Sequence, residues 1–200
     1  MFDTFLKAAV LAREIGFDGI ELHGAHGYLL DSFLRAGQAD FVYELVKAIR
    51  DNVGDDYPLA IRFSPWGVGE YAARQFESPG DLTKVLLSLK EAGIDVFHAS
   101  TRRFWVPEFD NSDLNLAGWT RKITGSPTIT VGNIGLVTDE WFGEGQESQR
   151  ELMRRFDRGE FDMVAVGRPL LSEPEWVNKV RDGRRNETAP FTDASKDAFP

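Results

Sequence analysis

The chain has 200 residues, 42% of them hydrophobic and 28% charged, which fits one soluble domain with enough apolar side chain for a core. Its 23 basic and 32 acidic residues leave a net charge of −9, which argues against nucleic acid and against an anionic membrane as partners. With no cysteine and three histidines, disulfides, thiolate metal sites and a cysteine nucleophile are excluded, and no metal site is expected.

No apolar run approaches the roughly 18 to 20 residues that cross a bilayer, and Met1–Arg13 lacks the basic start and apolar run of a secretory signal. A cytoplasmic location is the expectation.

In chain order, the apolar periodicity predicts helices at about 3–15, 39–52, 80–92, 147–158 and 174–181, and strands at about 18–23, 58–63, 94–99, 127–131 and 162–166. Three helix-to-strand junctions nearly repeat: Gly16-Phe17-Asp18 before GIEL, Gly93-Ile94-Asp95 before VFHA, and Gly159-Glu160-Phe161-Asp162 before MVAVG. Continuous apolar runs such as PTITVG and DMVAVG suit strands covered on both faces, as in parallel sheets. The class is α/β.

Each strand ends in residues suited to ligands: His23 and His26, then Arg62 and Ser64, His98 and Ser100, Gly132 and Asn133, and Gly167 and Arg168. In a (β/α)8 barrel such strand ends converge on one mouth. An open doubly wound sheet would more usually carry a GxGxxG turn after its first strand, and the sequence has none. The expected architecture is an incomplete (β/α)8 TIM barrel of about five parallel strands with flanking helices over residues 1–183, followed by an irregular tail at 184–200. Five strands cannot close an eight-stranded barrel, so about three β/α units are expected to be missing before Met1. Two sheet edges would then be open, and a homo-oligomer could cover them.

The segment Phe17–Leu30, FDGIELHGAHGYLL, runs an apolar strand into two histidines and a tyrosine. Two imidazoles three residues apart can chelate one carbonyl oxygen if Gly24 and Ala25 turn tightly, and a phenol, protonated at neutral pH, suits a general acid. The bland alternative is that His23 and His26 only satisfy carbonyls at the strand end and that Tyr28 packs. Arg62 ends an apolar strand, where a charge must be paired or put to use. Gly132 and Gly167-Arg168 end the last two strands, where barrel enzymes often hold a phosphate on glycine amides and a helix N-terminus. Ordinary turn glycines and a surface arginine are the alternative. Trp66 and Tyr71 either line the mouth or pack under a loop. His98, Arg102, Arg103, Phe104 and Trp105 either shape the mouth and meet a nicotinamide nucleotide or form a solvated loop face.

HGAHGYLLDSF, RFS, TVGNIG and VAVGRPLL together resemble the C-terminal part of the Old Yellow Enzyme family, FMN-dependent NADH:flavin oxidoreductases and ene-reductases with a (β/α)8 barrel, over residues 5 to 182. The family's stretch resembling N-x-R-x-D-x-Y-G-G-S-x-x-N-R is absent here, where Asp31–Gly37 passes directly into Gln38–Phe41. The resemblance implies an NAD(P)H-driven reduction of an activated C=C bond in a small enone-like substrate. His23 and His26 would anchor the substrate and Tyr28 would donate the proton. Arg62 would sit beside the flavin N1 and O2 edge, with Gly132, Gly167 and Arg168 at the FMN phosphate. The competing expectation is a truncated, non-catalytic homologue with weak or no FMN binding.

Overall fold

Side chains one residue apart on a strand point to opposite faces, so cross-strand register decides which of these groups can meet. A computed structural model describes residues 1–69, 74–135 and 145–196, the last stretch with side chains from residue 150 onward. Strands β1 (Ile20–His26), β2 (Leu59–Gly67), β3 (Val96–Ser100), β4 (Thr128–Val131) and β5 (Met163–Val164) form one parallel sheet in the order β1-β2-β3-β4-β5. Strands laid side by side in chain order suit a barrel arc, whereas a doubly wound sheet would reverse its order at a switch point.

Helices α1 (Phe2–Glu14), α2 (Leu29–Arg35), α3 (Ala39–Val53), α4 (Pro79–Ala92), α5 (Leu116–Thr124), α6 (Gly145–Asp157), α7 (Arg168–Ser172) and α8 (Trp176–Arg181) accompany the strands. The register aligns Leu22 with Ile61, Phe97 with Ile61, and Thr128 with Phe97. Of these, Leu22, Ile61 and Phe97 pack in one core with the buried helix stripes Val42, Leu45, Val46, Ile49 and Val53 of α3 and Leu82, Leu86 and Leu89 of α4. Spacings of three and four residues make each stripe one face of a helix.

The opposite face of the sheet is polar. His23, Arg62, His98 and Ile129 share one register row, and His26, Ser64 and Ser100 lie at the strand ends above it. The expectation of apolar runs covered on both faces therefore fails for β5, where Met163 is 43% exposed and Val164 37%, because this edge strand is paired on one side only.

The ends of the helices follow local chemistry. Ser78 caps α4 by accepting from the Asp81 N–H at 3.2 Å, and Asn115 caps α5 by accepting from Gly118 at 2.7 Å. Gly93 ends α4 at φ +119°, where a Cβ would lie 2.9 Å from Cγ of Arg50. Helices α2, α5 and α7 lie outside the ranges predicted from sequence. In α5, the Thr120 and Thr124 hydroxyls donate to the carbonyls four residues earlier, which satisfies these buried polar groups inside the helix. The segment read as an irregular tail contains two 3-10 turns, Arg185–Glu187 and Asp193–Lys196, and Ser195 bonds to Ser172 of α7 at 2.7 Å. Among the described residues no helix is long and apolar enough to cross a membrane.

The loop between β3 and α5 is packed down by Phe104 and Phe109, and it buries Glu108 at 7% exposure. Burial pushes this carboxyl up from 4.5 to about 7, against the opposing charge of Arg74. Between those values the folded chain keeps a proton that the unfolded chain has lost, so this group lowers stability as pH rises through that window. Replacing Glu108 with Gln should therefore raise the urea midpoint relative to the parent progressively from about pH 5 to about pH 8. A difference that stays constant with pH would contradict this assignment.

Candidate functional site

At the C-terminal ends of the strands a cavity of about 510 Å³ is lined by His26, Arg62, Trp66, Ser100 and Arg102, and by Gly132, Asn133, Gly167 and Arg168 from the last two strand ends. Its volume lies in the usual range of small-molecule and cofactor sites. The C-terminal parts of β1 and β2 and the segments at the ends of the other three strands contribute to it.

A bulge builds the first wall. Pairing of β1 with β2 shifts register between Gly24 and His26, and His26 adopts φ +64°. Two hydroxyls hold it there: the His26 N–H donates to Ser64 Oγ at 2.8 Å, while His26 Nε2 contacts Ser100 Oγ at 2.8 Å. Ser64 Oγ in turn donates to the Trp66 carbonyl at 2.7 Å, and the Trp66 ring stacks on the His26 imidazole with centroids 4.4 Å apart. Below the turn, the fully buried Asp31 accepts from the Gly27 N–H at 2.6 Å and from Arg35 Nε at 2.7 Å. Burial raises the Asp31 carboxyl above its usual value even though both contacts favour the anion.

His23 lies beside this wall, its ring 5.5 Å from that of His26 and 5.1 Å from that of Tyr28. His23 and Tyr28 are exposed and stand next to the cavity without lining it. Burial and then the Arg62 charge push the His26 imidazole down to about 4, and the same two causes lower His23. Both rings are neutral at neutral pH and able to give one hydrogen bond each.

Arg62 donates Nη2 to Ser100 Oγ at 3.0 Å and makes no ion pair among the described residues. Its Nε is buried without a hydrogen-bond partner, an orphaned donor that a ligand oxygen or nitrogen would satisfy. The nearby carboxylate is Glu21, which bonds to His98 Nδ1 at 2.8 Å. Burial raises Glu21, but the His98 hydrogen bond and the charges of His98, Arg62 and His23 outweigh it and leave the carboxyl below its ordinary value.

The two glycines differ. A Cβ on Gly132, at φ +145°, would lie 2.4 Å from the Thr101 carbonyl, so the fold itself requires glycine there. At Gly167 a Cβ would meet nothing within 4 Å, so this glycine leaves space open that packing does not need. Arg168 lines the cavity and its guanidinium also lies 5.8 Å from the Phe191 ring centroid. The α7 helix after Gly167 has five residues, a single turn.

Five of the seven residues read from sequence, His26, Arg62, Gly132, Gly167 and Arg168, thus share one cavity, with His23 and Tyr28 at its border. Of the group His98, Arg102, Arg103, Phe104 and Trp105, Arg102 lines the cavity, next to Thr101. Phe104 is buried at 1% exposure, the Trp105 carbonyl accepts from Arg155, and His98 is engaged by Glu21. Trp66 lines the cavity, whereas Tyr71 lies outside the described residues. Ser64 and Ser100 carry bonds that strand-end position alone did not reveal. The signal was in the register, which puts Ser100 two residues beyond His98 on the same face.

Comparison with known proteins gives the family and the fold. The chain is 32% identical to an NADH oxidase of Thermoanaerobacter brockii, covering 94% of this chain and 30% of the oxidase. It is 27% identical to a cinnamate reductase of Clostridium sporogenes, covering 94% and 31%. In three dimensions it overlays a morphinone reductase solved with tetrahydroNAD at a TM-score of 0.72 and 21% identity, covering 97% of this chain and 51% of the reductase. The fold is accordingly an incomplete (β/α)8 arc, and the chain spans about a third to a half of the lengths of these proteins. Because the model of one family matches residues 1–187 of the 200, the chain belongs to the NADH:flavin oxidoreductase / NADH oxidase family.

Proposed function

We propose that this chain is an FMN-dependent oxidoreductase of Old Yellow Enzyme type, in which NAD(P)H drives reduction of the C=C bond of an α,β-unsaturated carbonyl compound. The observation that carries the reading is the shared cavity, where His26, the unpaired Nε of Arg62, Gly167 and Arg168 meet at the strand ends. FMN, when bound, would supply the two-electron chemistry that no side chain here can perform.

The chain's own groups have separable tasks. Arg62 would give its orphaned N–H to the polar edge of the flavin ring and oppose negative charge there. Arg168 and the open space at Gly167 would receive the phosphate, since a guanidinium matches phosphate geometry with two parallel hydrogen bonds. His26 and His23, neutral and adjacent, would donate to the substrate carbonyl as its oxygen gains charge. Tyr28, exposed beside His23, would give its phenolic proton to the α-carbon. Overall, one alkene and one proton are consumed with each NAD(P)H, giving the saturated carbonyl compound and NAD(P)+. Net charge of −9 would repel anionic ligands in general, and the arginines at this cavity offset that locally.

Two measurements test the assignment. Arg168→Ala should weaken FMN binding roughly tenfold or more by fluorescence titration, the usual size of a lost charge-assisted bond. Unchanged affinity would remove Arg168 from the phosphate site. Tyr28→Phe should slow enone-dependent reoxidation of the reduced flavin by roughly 100-fold or more while leaving reduction by NAD(P)H intact, read by stopped-flow absorbance. Equal loss in both halves would contradict a proton-donor role. A chain that takes up no FMN at all would favour the non-catalytic homologue.

A further inference from the structure

The Ser100 hydroxyl sits where β1, β2 and β3 converge, 2% exposed, with two partners and no third among the described residues. One partner is Arg62 Nη2 at 3.0 Å, which can only donate because a guanidinium has no acceptor. The other is His26 Nε2 at 2.8 Å, whose role depends on the ring's tautomer. A hydroxyl has one proton. If His26 also donated, Ser100 would receive two hydrogen bonds and its own proton would have no acceptor among the described residues. If His26 accepts, the Ser100 proton has its acceptor and both contacts of the hydroxyl are satisfied.

We propose that Ser100 is a positioning residue, which accepts a hydrogen bond from Arg62, donates its own to His26 Nε2, and so fixes the His26 imidazole as the tautomer protonated on Nδ1. The neighbouring Ser64 obeys the same logic, accepting from the His26 N–H and donating to the Trp66 carbonyl. One imidazole is thereby locked by its backbone, by its inner nitrogen and by the stacked Trp66 ring. Its charge state agrees: burial and Arg62 hold it neutral at neutral pH, and a neutral ring has one donor and one acceptor. Nδ1 makes no hydrogen bond to any described residue, so its proton is the ring's remaining donor. The use of that donor on a substrate carbonyl rests on the proposed function; the tautomer does not. Arg62 and His26, one assigned to cofactor and one to substrate, would thus be joined through a single hydroxyl.

The test is long-range ¹H–¹⁵N correlation of the imidazoles in the intact ¹⁵N-labelled chain at neutral pH. The chain has three histidines, and His26→Gln identifies the His26 signals. The expected spectrum shows Nδ1 protonated and Nε2 carrying a lone pair. Ser100→Ala should shift the ring toward the Nε2-protonated form, and Ser100→Thr, which keeps the hydroxyl, should restore the parent pattern. A parent spectrum with the proton on Nε2 would overturn the inference, even if Ser100→Ala fails to fold. So would a folded Ser100→Ala chain with an unchanged Nδ1-protonated ring. The predicted tautomer in a chain that neither binds FMN nor reduces enones would uphold this inference while defeating the proposed function.

Discussion

Two serine hydroxyls, at the ends of β2 and β3, decide where the His26 imidazole stands. Ser64 holds the backbone of a residue forced to φ +64°, and Ser100 holds the ring. A non-glycine residue with positive φ is strained unless its surroundings over-determine it, and here a bulge, a stacked indole and two hydrogen bonds do so. The cavity wall depends on that local strain being held.

The sheet supplies the support. Its helix-facing side is a packed apolar layer, with Leu59, Ile61 and Phe97 fully buried against α3 and α4. This frees the other face to carry Glu21, His23, Arg62 and His98 in a polar array that a core on both faces would not tolerate without pairing. The array is paired: Glu21 with His98, Arg62 with Ser100. Turns at the rim are fixed in the same manner by Asp31, which ties Gly27 to Arg35.

Much of this was legible in the chain. The apolar runs and glycine-ended helices located all five strands to within a few residues, and the strand-end residues named His26, Arg62, Gly132, Gly167 and Arg168 before any contact was known. Other features depend on register between distant segments, as in the Ser100 contact to His26 across 74 positions and the His98 contact to Glu21 across 77. Nothing local marks a strand-end serine as the partner of a particular histidine. The short helices α2 and α7 carry too few turns for a periodic signal, and α5 has nine residues with Gly118 and two threonines among them. Phe104, read beside two arginines as part of either the mouth or a solvated loop face, is instead core, 1% exposed, with its carbonyl accepting from Asn115 Nδ2 at 2.6 Å.

The account stands on the strand-end cavity being a flavin site. Titrating FMN with the intact chain and following flavin fluorescence and the visible absorption bands tests this most directly. Saturable quenching with one FMN per chain and a perturbed flavin spectrum, both weakened by Arg62→Ala, is the predicted result. FMN that stays as fluorescent as in buffer across the accessible range of protein concentration, or binding indifferent to Arg62, would contradict it.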